Sequence, residues 1–233
     1  MEFTVEFYET ERGRCPVREF LNGLKEADPD DFAAIMAGLA KLRNRQYHRP
    51  PLSKPLGNDL FELRHVGKLN TRVLYFFAKG QRIITVHGIR KKAGDSQTGY
   101  DCGPGEKKGL AIEEPCMRRR TNFDRYLAEQ LRDADFAAKF TKAGEAWDVA
   151  LKLASLRKAS GLSQKELARR VGTSQQQISR LESPSYEGHS LSMLRRVADV
   201  LGANIQVEIQ PKKPRKLPIV AESKSIYRIK RKR

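Results

Sequence analysis

The stretch from Leu156 to Glu182, LRKASGLSQKELARRVGTSQQQISRLE, constrains this chain more than any other, because its caps, its glycine and its apolar spacing agree on one local fold. Ser163 is placed to cap a helix starting at Gln164, one face of which carries Leu167, Ala168 and Val171. Gly172 ends that helix, and Ser174 caps a second one carrying Gln175, Gln176, Ile178, Ser179 and Leu181. Two short helices joined by a tight glycine turn form a helix-turn-helix, which lays its second helix in a major groove of DNA. An ordinary helical hairpin has no need of caps, glycine and a glutamine run all in register.

The residues around this segment extend it into an all-α unit. Upstream, Phe123, Tyr126, Leu127 and Leu131 have helical spacing, as do Phe136, Phe140, Trp147, Leu151 and Leu153. Downstream, Ser190 caps a helix with Leu191, Leu194, Val197 and Leu201, and Gly202 terminates it. Ile205, Val207 and Ile209 then alternate as a short strand, available for pairing with another strand.

The first ninety or so residues read differently. Phe3, Val5 and Phe7 alternate with polar residues as in a half-buried strand. Pro16 suits the first turn of a helix with Val17, Phe20, Leu21 and Leu24, and a second helix starts near Pro29 and runs through Phe32, Ile35, Leu39 and Leu42. Three strands follow at Leu60–Val66, Thr71–Ala78 and Arg82–Ile89, with Gly67 and Gly80 marking the turns. The order β-α-α-β-β-β places two helices against one face of a mostly antiparallel sheet, so the fold class is α+β.

Four segments follow: a domain over 1–92, a Gly/Cys-rich linker over 93–116, a second domain over 117–210 with the helix-turn-helix at about 153–202, and a tail over 211–233. The tail holds ten Lys/Arg against one acid and little apolar content, so it is expected to be disordered. The net charge of +17 points to a polyanionic partner, most simply nucleic acid. No run of about 18 apolar residues exists, so no membrane span is expected, and the N-terminus lacks a signal-peptide layout. Cys15, Cys102 and Cys116 lack metal-ligand spacing and fit free thiols in a reducing cytoplasm, with no metal or cofactor expected.

Quoted together, LFELRHV, NTRVLYFF and RIITVHGIRKK resemble the RelE/ParE superfamily of small toxins, and within it the HigB-like, phage-Gp49-like branch. That resemblance implies an mRNA interferase acting on transcripts in the ribosome. The second half resembles HigA-like antitoxins with a Cro/C1-type (XRE) helix-turn-helix, on GLSQKELA, TSQQQISRLE, RYLAEQLRDADFAAKF and LGANIQVEIQ. It implies a homodimeric repressor on a palindromic operator, with Arg157 and Glu182 forming a structural ion pair. One departure stands out: the final helix usual in such toxins after the Lys-Lys pair is replaced by the linker, which predicts exposed core surface. A frameshift joining two adjacent genes, with Met117 the former start of the second, is one origin for such a chain.

Metal-independent RNA cleavage by the 2′-hydroxyl needs a base, cations on the pentavalent phosphate and an acid for the leaving oxygen. Arg64 and Arg72, on neighbouring strands, are placed to converge on one phosphate. His87 and Lys91 are the candidates for proton transfer, histidine being the side chain that ordinarily titrates near neutrality. Lys54, Arg90 and Lys92 would hold the RNA backbone, while His65 should point to the opposite sheet face from Arg64. On the DNA side, Gln164 is placed for a phosphate and Gln175 and Gln176 for adenine edges. Ser174, Gln177 and Ser179 are secondary contacts, and Arg180 reaches the backbone or guanine. Two readings follow: a fused toxin–antitoxin protein, or a transcriptional repressor carrying an inactive toxin domain. A DNA-processing enzyme finds no carboxylate cluster or metal-ligand spacing to support it.

Overall fold

The computed structural model describes residues 2–65, 67, 69–90, 120–186, 188 and 190–207. The expected linker and tail, with Lys91, Lys92, Cys102, Cys116 and Met117, lie outside the described residues. Among those described, the chain runs β1 (Thr4–Phe7), α1 (Pro16–Ala27), α2 (Pro29–Lys41), β2 (Ser53–Gly57), β3 (Leu60–His65), β4 (Thr71–Ala78) and β5 (Arg82–Arg90). It continues with α3 (Asn122–Gln130), α4 (Ala134–Ala159), α5 (Gln164–Val171), α6 (Gln175–Leu181) and α7 (Leu191–Val200). The class is α+β, as the patterning predicts.

The sheet has the order β1-β5-β4-β3-β2, antiparallel except for β1, which runs parallel to β5. It has one strand more than expected. Pro51 and Pro55 disguise β2 in the sequence, but an edge strand tolerates a proline whose missing N–H faces outward. Its hairpin to β3 turns through Asn58 and Asp59, both with positive φ, the conformation that Asn and Asp tolerate best after glycine. The short strand expected at 205–209 is not formed over residues 205–207, and residues 208–210 lie outside the described region.

Helices α1 and α2 cover one face of the sheet, and α2 is buried along almost its whole length. Asp28 caps it by accepting from the N–H groups of Asp30 and Asp31. Glycine sets the close approaches. A Cβ on Gly88 would lie 2.0 Å from Phe20 Cδ1, so α1 packs directly onto the backbone of β5 there.

The core does not stop at β5. One apolar cluster joins Val5, Leu21, Phe32, Leu63 and Tyr75 to Phe123, Tyr126, Phe136, Trp147 and Leu151 of α3 and α4. The core surface expected to lie bare for want of a final helix is thus covered by these two helices. Trp147 is fully buried, and its Nε1 donates to the Ala34 carbonyl at 2.9 Å. At the sheet edge the Asn122 amide pairs with β1 as a strand would, accepting from Phe7 N and donating to Phe7 O, each at 2.8 Å. Around the seam, Lys25 donates to Gln130 at 2.8 Å, Lys41 to Asp148 at 2.5 Å, and Arg43 pairs with Asp124.

A second cluster, built on Leu162, Leu167, Ala168, Val171, Ile178, Leu181, Val197 and Leu201, holds α5, α6 and α7 together. Leu153 and Leu156, from the C-terminal half of α4, pack against it. Helix α4 therefore belongs to both cores.

Trp147→Ala removes the largest side chain of the first core and leaves a cavity between α2 and α4. We expect a loss of about 3–5 kcal/mol in urea unfolding, with the N-terminal sheet destabilised although the substitution lies outside it in sequence. A loss confined to the α5–α7 signals would contradict the shared core.

Candidate nucleic-acid interfaces

The helix pair forms as its caps dictate. Ser163 Oγ accepts from Glu166 N at 3.2 Å while the Glu166 carboxylate accepts from Ser163 N at 2.7 Å, a closed capping box at the start of α5. Gly172 ends α5 with φ 72°, a left-handed residue where a side chain would be strained. Ser174 Oγ then accepts from Gln177 N at 3.1 Å and starts α6. Arg196 of α7 donates to the carbonyls of Val171 and Gly172, bracing the turn from behind. No motif pointed to that brace; an arginine two turns into an amphipathic helix reads as solvated.

Beneath the pair lies a closed ion pair. Glu182, 5% exposed, accepts from Arg157 Nε at 2.5 Å and Nη2 at 2.9 Å, and from Gln164 Nε2 at 2.9 Å. Arg157 also donates to the Leu162 carbonyl at 2.8 Å. Of the residues expected to meet DNA, Gln175, Gln176, Ser179 and Arg180 are exposed on α6. Ser174 is exposed with its hydroxyl engaged as the cap. Gln164 is half-buried against Glu182, and Gln177 donates to the Tyr186 hydroxyl at 2.9 Å.

On the N-terminal unit, alternation along β3 puts Glu62 and Arg64 on the sheet face away from the helices. Pairing sets Arg64 opposite Arg72, and Lys54 opposite Glu62. The two arginines do converge, but on a side chain of this chain: Glu62, fully buried, accepts from Arg72 Nη1 at 3.0 and 2.8 Å. Arg64 Nε lies 3.3 Å from Glu62 Oε1, close enough for an ion pair but not aimed as a hydrogen bond. Arg72 Nε also has no partner, so one carboxylate serves two guanidinium groups that retain unused donors. Glu62 is the residue that sequence reasoning missed; its signal was the two-residue spacing to Arg64 in FELR, which shares a strand face.

His87 is exposed and pairs across β4 with Leu74, which pairs with Glu62. Two strand spacings, about 10 Å, therefore separate it from Glu62 and Arg64 on β3, while Arg72, on β4 opposite Ile89, is its diagonal neighbour one strand away. A register shift between Leu74 and Tyr75, leaving Val86 as an extra residue, is a β-bulge that re-aims this end of β5. Arg90 donates to the Gly23 carbonyl of α1 at 3.1 Å rather than joining the cluster. Tyr75 faces the core, and burial pushes its hydroxyl up to about 12, which removes it from proton transfer near neutrality.

His65 sits on the helix side as alternation requires. Its Nε2 lies 3.2 Å from Asp31 Oδ1, and Asp31 Oδ2 accepts from Thr71 Oγ1 at 3.0 Å. Burial pushes the Asp31 carboxyl up, but hydrogen bonds from His65, Thr71 and the Leu69 backbone outweigh it and hold the group below its ordinary value. Among the described residues no group of three or more His, Cys, Asp or Glu is placed to hold a metal, and no helix is long and apolar enough to cross a membrane.

Residues 19–99 match the family model of phage-derived Gp49-like proteins, and residues 148–210 match a helix-turn-helix domain model. The chain joins a Gp49-like domain to a helix-turn-helix domain. That pairing is the layout of a fused toxin–antitoxin chain. No curated protein matches it. Neither model covers residues 100–147, the span that holds α3 and the part of α4 ending at Trp147.

The buried charges lead to two expectations. Arg157→Ala strands Glu182 in the helix-turn-helix core and should cost about 3–5 kcal/mol, read as lost helicity on thermal melting. Asp31 has a folded pKa below its ordinary 3.8, so its contribution is present above that value and is lost as pH falls through the lower, folded one. Asp31→Asn should therefore be less stable than the parent at pH 7, with a gap that narrows below pH 3.8. An unchanged gap in acid would show that the carboxylate is not the source.

Proposed function

We propose that this toxin–antitoxin fusion represses its own operon as a sequence-specific DNA-binding homodimer of the Cro/C1 class. Its Gp49-like domain we read as a ribosome-dependent mRNA interferase held in check within the same cytoplasmic chain. The observation that carries the DNA-binding part is the first turn of α6, where Gln175 and Gln176 stand exposed on a helix fixed by α5, α7 and the Arg157–Glu182 pair. Each glutamine can bond bidentately to adenine, with Ser174, Gln177, Ser179 and Arg180 as flanking contacts and Gln164 on a phosphate. One such domain spans a half-site, so tight binding calls for a dimer on a palindrome.

For the Gp49-like domain the support is the arginine pair around Glu62. Glu62 orients the two guanidinium groups, Arg64 and Arg72 steady the phosphate, and Lys54 with Arg90 and Lys92 tracks the backbone. His87 or Lys91 carries the proton. Restraint within the chain is favoured by a cleft of about 560 Å³ in which Lys54 and Arg64 face the loop Ser183–Tyr186. A second reading, a repressor whose Gp49-like domain is inactive, is favoured by the burial of Arg72, whose side chain is only 10% exposed and bound to Glu62.

The DNA reading is checked by anisotropy on the operator and on unrelated duplex. Gln175→Ala with Gln176→Ala should lower the preference for the operator about tenfold or more, each contact contributing about 1–3 kcal/mol, while salt-sensitive nonspecific binding persists. An unchanged ratio removes the glutamines from recognition. The RNA reading is checked with residues 1–159, which retain every residue of the first core. That fragment should cleave ribosome-bound mRNA where the full chain does not, and Arg64→Ala within it should abolish cleavage. A folded but inert fragment selects the repressor-only reading.

A further inference from the structure

The cleft that separates the two domains has nucleic-acid candidates on both walls. On one side are Lys54 of β2 and Arg64 of β3; on the other are Gln164 at the start of α5 and Ser179 and Arg180 on the second half of α6. We propose that this cleft is part of the DNA-binding surface, and that Lys54 and Arg64 of the Gp49-like domain grip a phosphate strand of the duplex read by α6. The proposal rests on the DNA-binding reading above and extends it to residues outside the helix-turn-helix domain.

Charge within the cleft supports an anionic occupant. Its basic residues are Lys54, Arg64 and Arg180, and its one lining carboxylate, Glu182, is already held by Arg157 and Gln164. Glu62, below Arg64, is shared with Arg72, so it offsets only one of the two guanidinium charges. The Arg64 Nε is turned inward, 3.3 Å from Glu62 Oε1, while the side chain as a whole is 35% exposed and lines the cleft. Such an excess attracts phosphate.

Geometry selects duplex DNA over a free strand. A recognition helix lying in a major groove about 12 Å wide has a phosphate backbone along each of its flanks. Gln164 and the start of α5 mark where one of those backbones passes. Because Gln164, Ser179 and Arg180 line the same cleft as Lys54 and Arg64, the backbone they meet is within the cleft, opposite the two cations. Cationic side chains so placed add affinity without reading sequence.

The test is the salt dependence of operator binding by the full chain, followed by anisotropy across a series of KCl concentrations. Each phosphate contact contributes about 0.9 to the slope of log K against log salt. Lys54→Ala should lower that slope by about 1.8 for the homodimer, one lost contact in each protomer, while leaving the ratio of operator to unrelated duplex unchanged. Lys54→Arg should restore the slope, and Lys79→Ala, in the exposed β4–β5 turn, should match the parent. A parent-like slope for Lys54→Ala, with operator binding intact, overturns the proposal. So does a Lys54→Ala chain that loses affinity for single-stranded RNA but not for DNA, which would assign the cleft to RNA. Failure of the parent itself to bind operator, with no effect of the Gln175→Ala/Gln176→Ala change, would overturn the DNA-binding reading and this proposal together.

Discussion

Trp147 reaches from α4 into the N-terminal unit and donates its indole N–H to a carbonyl in the middle of α2, closing a core that the sheet and its two helices leave incomplete. The rest of the molecule depends on that anchorage. Helix α4 is 26 residues long, about 39 Å at 1.5 Å per residue, and its later turns carry Leu153 and Leu156 into the core of the helix pair. A continuous helix shared by two cores transmits orientation, so the position of α6 relative to the sheet follows from where Trp147 sits. The cleft between Arg64 and Arg180 is a product of that arrangement rather than a feature of either domain.

The two buried glutamates show how the same pairing chemistry serves opposite ends. Glu182 is fully matched by its neighbours, since Arg157 binds it twice and Gln164 completes the set. That cluster is closed, and it stabilises the scaffold by leaving no charge unpaired. Glu62 is outnumbered, with Arg72 bound and Arg64 merely adjacent. An unequal set of this kind is costly for folding, because a desolvated guanidinium N–H without a partner forfeits about 1–3 kcal/mol. A phosphate oxygen would match the outer edge of such a guanidinium fork, which is why the uneven set supports the proposed phosphate contact.

Much of this was legible in the chain itself. The helix pair was, because capping and a left-handed glycine are local requirements with local signals at Ser163, Gly172 and Ser174. The helices α1 and α2 and four of the five strands were, because proline at a first turn and period-two alternation are also local. Strand β2 was hidden by its prolines, which an edge position excuses but a sequence cannot place at an edge. Glu62 was hidden because its role comes from Arg72 on the next strand, a matter of register. The largest omission was the shared core. Phe123, Tyr126 and Trp147 were readable as one face of helices, but a periodic pattern does not say which partner covers that face.

That omission bears on what the fusion does physically. The helices that finish the Gp49-like core, α3 and the first half of α4, lie between the two family matches and beyond the segment expected to link them. Docking them onto α2 and β1 is an association between two parts of one chain, and a covalent connection turns such an association into an intramolecular event at an effective concentration of about millimolar. Separate chains would have to find each other at cellular concentration to bury Phe123 and Trp147. In the fused chain the same burial is available as soon as synthesis is complete. The N-terminal sheet therefore reaches its full core only with α3 and α4, and α4 carries the helix-turn-helix at its far end, which sets that domain across the cleft from the arginine pair.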